Sequence, residues 1–337
     1  MIRAYIKAID YYLPQRTLTN EELVHDFPEW DVDKIMQKVG IHKRCIASED
    51  ETASDLAVAA AQKLFAHGVD KGDIDFVLFC TQSPDYFLPT SACTIQDRLG
   101  LSKSIGAIDF NQGCSGFVYG LSLAKGLIAA NIAKNVLLLT AETYTKRLHV
   151  CDRGNRSIFG DGAAATLITT DGFAEIGEFC LGTDGSGAEH LIIRTGAARQ
   201  PEKTNQVDFD ENNNPSSADH IYMNGNEIFS FTLKYVPPLV KTVLEKNRID
   251  QDNVDLFIFH QANKYMLDFL RKKLRIDEDK FYLCLSEVGN TVSSTIPIAM
   301  HEALEDGSLQ KGMKTMLVGF GVGLSWAGCM LNLGDCN

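Results

Sequence analysis

Residues 108–128 read IDFNQGCSGFVYGLSLAKGLI, and this stretch decides the fold. A short apolar run ends in polar residues, and a longer helical pattern begins around a cysteine between glycines, Gly113-Cys114-Ser115-Gly116. This change of pattern predicts a strand followed by a helix, with Cys114 at the junction. The positive end of the helix dipole would favour the thiolate of Cys114, and the flanking glycines would allow close approach to its sulfur.

The same order of elements recurs in the second part of the chain. Residues 73–80 read DIDFVLFC and residues 253–260 read NVDLFIFH, and each run precedes a polar turn and a helical pattern. Continuous apolar runs of this length suit strands that are covered on both faces. The repeated alternation of strands and helices predicts a duplicated α/β fold with mainly parallel strands, in two halves at residues 1–172 and 173–337.

Composition excludes several classes of function. The chain has 337 residues, is 45% hydrophobic and carries a formal net charge of −12, which disfavours general nucleic-acid binding. Its apolar runs are too short to span a membrane, and the N-terminal residues lack a signal-peptide pattern. Nine cysteines without a CxxC pair or a zinc-type cluster predict reduced thiols, no metal site and a cytoplasmic location.

Polar residues follow several of the predicted strands. Cys114 follows one strand, His260 opens HQAN after another, and Asn290 lies in the segment Gly289-Asn290-Thr291. Ligands of such sheets bind beyond the carboxyl ends of the strands, so we expect these three side chains to converge. Thiolate, imidazole and amide form a nucleophilic set, used by Cys-His-Asn hydrolases and by enzymes that hold an acyl group on sulfur. Taken singly, His260 reads as a structural histidine and Asn290 as a turn or cap residue, so both classes stay open here.

Six motifs together resemble the β-ketoacyl-acyl-carrier-protein synthase III family of the thiolase superfamily. They are GCSGF at 113–117, HQAN at 260–263, GNT at 289–291, TQSPDYFLPTSAC at 81–93, DRG with FGDGAA at 152–164, and GFGVGLSW at 319–326. The resemblance covers nearly the whole chain. It implies a thiolase-like, duplicated five-layered α/β/α/β/α fold and a homodimer, with acyl carrier protein and acyl-CoA or acyl-carrier-protein thioesters as partners.

The resemblance also implies an activity without any metal or redox cofactor. An acyl group on Cys114 would be condensed with a malonyl thioester of the carrier protein, and His260 and Asn290 would stabilise the enolate that decarboxylation forms. Backbone N–H groups of Cys114 and Val322 would hold the acyl oxygen. The alternative is an acyltransferase that passes the acyl group from Cys114 to a hydroxyl or amine. The pathway would be fatty-acid initiation or a specialised one.

Further residues are assigned through the same resemblance. Those implied to contact substrate are Lys38, Arg153, Gly225, Asn263 and Leu88. The basic cluster implied to dock the acidic carrier protein is Arg271, Lys272, Lys273 and Arg275, which otherwise reads as a solvated helix face.

Two departures from the family pattern concern coenzyme A. Counting back from Gly40 puts Lys34 where family members have a tryptophan that stacks on adenine, and Lys38 replaces an arginine. These changes predict weaker coenzyme A contacts, and they fit a specialised pathway at least as well as fatty-acid initiation.

Overall fold

The computed structural model describes residues 2–211 and 213–334. The strands of the first half are β1 (Tyr5–Tyr12), β2 (Arg16–Thr19), β3 (Lys43–Ile46), β4 (Phe76–Cys80), β5 (Gly106–Phe110), β6 (Val136–Glu142) and β7 (Gly162–Thr169). Those of the second half are β8 (Ala174–Thr183), β9 (Leu191–Ile192), β10 (Asp208–Phe209), β11 (Pro215–Ser216), β12 (Tyr222–Met223), β13 (Leu256–Phe259), β14 (Lys314–Gly321) and β15 (Ser325–Leu333).

Nine strands form one continuous sheet in the order β13-β14-β15-β8-β1-β7-β6-β4-β5. The first half contributes β5-β4-β6-β7-β1, and the second repeats this order as β13-β14-β15-β8, with Phe281 bridged to Phe257 in place of one strand. The two runs meet where β1 pairs with β8 over only two residue pairs. The sheet order therefore shows the duplication that the sequence predicted, and the predicted boundary at residue 172 falls between β7 and β8. The prediction of mainly parallel strands was wrong, because three of the eight strand pairs are parallel and five are antiparallel.

Nine α-helices belong to the described part of the chain. They are α1 (Asn20–Asp26), α2 (Val32–Val39), α3 (Ala53–Ala66), α4 (Ser91–Arg98), α5 (Gly116–Ala129), α6 (Arg153–Arg156), α7 (Gly225–Asn247), α8 (Lys264–Leu274) and α9 (Thr295–Glu305). Helices α5 and α9 pack between strands of both halves, whereas α3 and α4 cover the outer face of the first half and α7 covers that of the second. This arrangement is the predicted five-layered α/β/α/β/α fold.

Three hydrophobic cores lie between these layers. One packs α3 and α4 on the first half, with Leu56 and Phe79 fully buried. A central core surrounds Phe117 of α5 and Ile296 of α9. The third lies under α7 and α8 and includes Cys114. Because Cys114 belongs to a core cluster, the sequence motif at this junction leads into the protein interior and not to its surface.

Helix α7 contains two consecutive prolines. Proline inside a helix normally bends or breaks it, but α7 runs without interruption from Gly225 to Asn247 through Pro237 and Pro238. Its apolar face, which includes Val236 and Val240, is buried against β15 and β8. Burial of that face outweighs the loss of backbone hydrogen bonds at the prolines.

Candidate active site

Cys114 lies between β5 and α5, as its sequence context predicted. The helix begins two residues later, at Gly116, with Ser115 as its N-cap. A Cβ atom on Gly116 would lie 2.3 Å from the sulfur of Cys80, and one on Gly113 would lie 2.4 Å from a methyl carbon of Val322. Gly113 and Gly116 therefore leave no room for a side chain, because Val322 and Cys80 pack against them. The sequence had explained these glycines by close approach to the Cys114 sulfur, whereas the structure shows that they are packed against other residues.

His260 follows directly after β13 and is only 2% exposed. Its Nδ1 atom lies 2.7 Å from the hydroxyl oxygen of Thr295, and its ring meets Phe320 edge-on at 5.7 Å. Burial lowers the pKa of His260 to about 3, so the imidazole is neutral at physiological pH. With Nδ1 held by Thr295, Nε2 is the ring nitrogen left for a substrate.

Asn290 is fixed by four hydrogen bonds. Its backbone N–H donates to the carbonyl of Ile158 at 2.9 Å, and its own carbonyl accepts from Gly160 at 3.0 Å. In the side chain, Oδ1 accepts from the Val292 N–H at 2.9 Å, and Nδ2 donates to the Ala262 carbonyl at 3.4 Å. The segment is thus a turn, as its composition suggested, and it also ties the Asn290 amide to the chain just beyond His260.

The end of β14 connects the cysteine to the histidine. Phe320 contacts the ring of His260. A Cβ atom on Gly321 would lie 2.7 Å from the sulfur of Cys114. The backbone N–H groups of Val322 and of Cys114 itself act on that sulfur as donors that lower the pKa of the thiol. Cys114 and His260 therefore both adjoin residues 320 and 321, and Asn290 reaches the chain just beyond His260 through Ala262. The role of the two N–H groups at an acyl oxygen stays a prediction.

The ionisation state of Cys114 differs from the sequence prediction. Burial raises the pKa of the thiol to about 12, and the hydrogen bonds from backbone N–H groups only partly oppose this rise. The expectation of a thiolate was wrong because it considered the helix dipole alone, whereas Cys114 is only 6% exposed and belongs to the same hydrophobic core as Tyr144, Phe159 and Phe320. The free enzyme therefore holds a neutral thiol beside a neutral imidazole.

A cleft of about 790 Å³ holds three of the predicted substrate-contact residues: Lys38, Arg153 and Gly225. The same cleft is lined by Trp30, and the guanidinium of Arg153 lies 6.0 Å from the centre of the Trp30 ring. An aromatic ring is thus present beside Lys34, although counting along the chain had indicated that it was lost. Trp30 lies in the loop before α2, and the fold of that loop places its ring in the cleft although its distance from Gly40 along the chain differs from the family pattern.

Two other predicted contacts lie elsewhere. Asn263 caps α8, and its side chain accepts from the Met266 N–H at 2.9 Å. Leu88 is 82% exposed on the loop before α4, so neither residue lines the cleft that holds Lys38. The side-chain oxygen of Asn263 is occupied by the helix cap, and the contact of Leu88 with substrate stays a prediction.

The predicted docking cluster divides into two kinds of residue. Lys272, Lys273 and Arg275 are exposed at the end of α8. Arg271 is mostly buried and donates to the Ile276 carbonyl at 3.2 Å, so it stabilises the end of the helix and does not face a partner. Lys273 also reaches the carbonyl of Leu233 at 3.2 Å.

A second cavity, of about 760 Å³, adjoins Val322 and was not predicted. Gln82, Asn111 and Tyr144 line it, next to the nucleophile turn. Gln82 lies in the motif at residues 81–93, which follows the apolar run at 73–80, but the sequence gave this residue no role. Tyr144 follows β6 by two residues, and this position beyond the end of a central strand was the signal that could have identified it.

The fold and this site define a thiolase-like enzyme that transfers acyl groups. Family models for 3-oxoacyl-(acyl-carrier-protein) synthase III match residues 108–185, and those for its C-terminal part match residues 244–333. The β-ketoacyl-(acyl-carrier-protein) synthase III of Clostridium perfringens strain ATCC 13124 is 39% identical over 325 residues, covering 96% of this chain and 97% of that protein.

Solved structures agree with this class. A crystal structure of a 3-oxoacyl-(acyl-carrier-protein) synthase III, at 48% identity, covers 98% of this chain and 100% of its own, with a TM-score of 0.95. A 3-oxoacyl-(acyl-carrier protein) synthase from Burkholderia xenovorans LB400, at 34% identity, covers 98% of this chain and 94% of its own, with a TM-score of 0.90. The chain belongs to the 3-oxoacyl-(acyl-carrier-protein) synthase III family, and it is an acyltransferase of the condensing type.

Proposed function

We propose that Cys114 is the residue that carries the acyl group in this condensing enzyme. The observation behind the proposal is the turn at residues 320–322, which meets both His260 and the Cys114 sulfur. In the acylation step, a bond forms from that sulfur to the acyl carbon of a thioester. The bond from the acyl carbon to the carrier sulfur breaks, and the thiol proton ends on the carrier sulfur. The N–H groups at the Cys114 sulfur would then stabilise the negative charge on the acyl oxygen.

His260 and Asn290 serve the second step, in which a malonyl thioester loses carbon dioxide. The electron pair released from the broken carbon–carbon bond enters the thioester as an enolate. Asn290 has one Nδ2 proton beyond its bond to Ala262. The Thr295 hydroxyl oxygen lies 2.7 Å from Nδ1 of His260 and 3.0 Å from the Val292 carbonyl oxygen. When the hydroxyl donates to Nδ1, the closer of the two, the ring proton lies on Nε2. Two donors are then available to the enolate oxygen.

Carbon–carbon bond formation completes the cycle. The enolate carbon attacks the acyl carbon on Cys114, the bond from that carbon to sulfur breaks, and the thiolate takes a proton from solvent. Loss of carbon dioxide drives the reaction, so we propose that no metal or redox cofactor takes part. The product is a 3-oxoacyl thioester, as in the first condensation of fatty-acid synthesis or of a related pathway.

Carrier recognition is proposed to use two surfaces. The 790 Å³ cleft would take the pantetheine arm, with the Trp30 ring and the Arg153 guanidinium available to the adenine of coenzyme A. Lys272, Lys273 and Arg275 would attract an acidic carrier protein. The cleft retains contacts for coenzyme A, and this supports acyl-CoA as one donor alongside the carrier protein.

We further propose a homodimer that joins the β5 strands of two copies. β5 is an end strand of the nine-stranded sheet, and its Ile108 is 46% exposed. The nearby loop exposes Phe87 at 84% and Leu88 at 82%. An unpaired strand with apolar neighbours is a natural site for two-fold pairing. Light scattering should give the mass of two chains, and Ile108→Lys should give the mass of one.

The proposed location is the cytoplasm. The eight cysteines within residues 2–211 and 213–334 are free of disulfides, and Cys336 lies outside the described residues. No helix in those ranges is long and apolar enough to cross a membrane. Unpaired thiols are typical of a reducing compartment.

The acyl-enzyme is tested by intact-protein mass spectrometry after exposure to acyl-CoA and acyl-carrier-protein thioesters. We expect one acyl group per chain, mapped to Cys114, and no adduct on Cys114→Ser. Cys329→Ser is the matched control because that thiol is fully buried in the central core, and it should load normally. An adduct that persists on another cysteine of Cys114→Ser would contradict the assignment.

A further inference from the structure

The 760 Å³ cavity beside the nucleophile turn has a polar inner end. Its outer rim includes Phe87, which is 84% exposed, whereas Tyr144 is only 7% exposed. At that inner end the Tyr144 hydroxyl donates to Oε1 of Gln82, and Nε2 of Gln82 donates to Oδ1 of Asn111 at 2.8 Å. A Cβ atom on Gly113 would lie 2.6 Å from Oε1 of Gln82. The amide therefore lies against the residue that precedes the nucleophile.

The backbone that carries Gln82 is held by a buried carboxyl group. Both oxygens of Glu142 accept from the backbone N–H of Gln82, at 3.0 and 3.1 Å, and one accepts from the Ser83 hydroxyl at 2.8 Å. The Tyr144 ring packs on Phe159 with centroids 5.3 Å apart. The Gln82 backbone and the Tyr144 ring are therefore held in place, and the hydrogen bond between the two side chains keeps their polar atoms together at the inner end of the cavity.

Hydrogen-bonding capacity remains on both groups. The Gln82 amide has two protons, one of which goes to Asn111, and the Tyr144 oxygen can still accept a hydrogen bond. Within residues 2–211 and 213–334, these two hydrogen bonds are the ones that the Gln82 side chain and the Tyr144 hydroxyl make, and neither uses that second proton or that lone pair. An acyl hydroxyl would satisfy both, by accepting from Gln82 and donating to Tyr144. An alkyl chain at the same place would displace water and leave both unpaired.

We propose that Gln82 and Tyr144 select a short starter acyl group with a hydroxyl on one of its first few carbons over the unsubstituted chain of equal length. The inference rests on the proposed acylation of Cys114, because the polar pair acts on the group that this sulfur receives. Sites built to hydrogen-bond a substrate hydroxyl reject analogues that lack it, whereas purely apolar pockets discriminate weakly.

The test compares loading rates of 3-hydroxybutyryl, 4-hydroxybutyryl, butyryl and acetyl thioesters, all on coenzyme A, with the full chain. For the wild type, we expect one of the hydroxybutyryl groups to load onto Cys114 about tenfold faster than butyryl. Tyr144→Phe and Gln82→Leu should each bring the ratio close to one. Tyr12→Phe removes a tyrosine hydroxyl that lines neither cavity, and it should keep the wild-type ratio.

The outcomes separate this inference from the function on which it rests. If acetyl and butyryl load onto Cys114 and are condensed, but butyryl loads as fast as both hydroxybutyryl groups, the selectivity is wrong and the condensing function stands. If no acyl group reaches Cys114, both fail. The ratio of hydroxybutyryl to butyryl loading in the wild type decides by itself whether the selectivity exists. The test therefore remains valid when a variant does not fold.

Discussion

Gly319→Ala should displace the nucleophile without changing any polar side chain of the site. Gly319 lies in β14, and a Cβ atom there would be 2.7 Å from the Cα of Ser115 and 2.9 Å from the carbonyl oxygen of Cys114. Ordinary contacts between such atoms are about 3.5 to 4.0 Å, so the backbone at Cys114 must move by about 1 Å. Both atoms in the way belong to the backbone, and no rotation of a side chain can relieve the overlap.

A displacement of this size should lower the rate of acyl loading by about 100-fold. Overpacking in a filled core should also cost about 1 to 3 kcal/mol of the free energy of unfolding. Gly126→Ala is the matched control, because Gly126 is an exposed position of α5 and its Cβ would meet no atom within 4 Å. That variant should gain about 0.5 to 1 kcal/mol and load at the wild-type rate.

The assay is intact-protein mass spectrometry of acyl loading over time, paired with chemical denaturation of each variant. Loading is measured well below the denaturation midpoint, so that a slower rate reports geometry and not unfolded protein. A Gly319→Ala protein that loads as fast as wild type would refute the close packing of β14 on the nucleophile. So would a Gly126→Ala protein that is as slow as Gly319→Ala.

Three further outcomes are expected. Because the pKa of the Cys114 thiol is raised to about 12, its alkylation by iodoacetamide should accelerate about tenfold per pH unit from about pH 7 to 9; a rate that levels off below about pH 8 would contradict this. Trp30→Ala should weaken the affinity for coenzyme A several-fold in calorimetry but leave the affinity for a pantetheine thioester unchanged, and Lys34→Ala is the milder control. An equal loss of affinity for both ligands would argue against adenine stacking. The pair Lys272→Glu and Lys273→Glu should slow turnover with an acidic carrier protein, most at low salt, and spare small thioesters; a loss that salt does not change would exclude electrostatic docking.

The duplicated fold could be predicted because local patterns carry it. The apolar runs at β4 and β13 are too short for helices and too continuous for exposed strands. Each run is followed by a turn and a helical pattern, and this repeated order indicates two similar halves. Strand β8 was missed because its exposed and buried positions alternate irregularly along a sequence with glycines and charges. Its partners, β15 and β1, lie far away in the chain, and only the sheet supplies its register.

The site was predictable to the extent that its motifs are local. The glycines around Cys114, the strand end at His260 and the turn at Asn290 identified residues of one region: Cys114 and His260 adjoin the end of β14, and Asn290 bonds to Ala262 beyond His260. The ionisation of the thiol was not predictable, because the groups that bury it, such as Phe320 and Tyr144, come from other parts of the chain. The place of Trp30 in the cleft likewise depends on the path of the loop before α2, which residue counting does not describe.

His260 and Asn290 are proposed to act in decarboxylation and not in acylation, and the two steps can be measured separately. For wild type, His260→Ala and Asn290→Ala, acyl loading onto Cys114 is measured together with release of carbon dioxide from malonyl carrier protein. Each variant should load within about tenfold of the wild-type rate, while release of carbon dioxide should fall by about 100- to 1,000-fold, the usual cost of removing one donor from developing negative charge. An equal fall in both steps would exclude this assignment and indicate a cysteine–histidine couple that acts in acylation itself, as in a hydrolase.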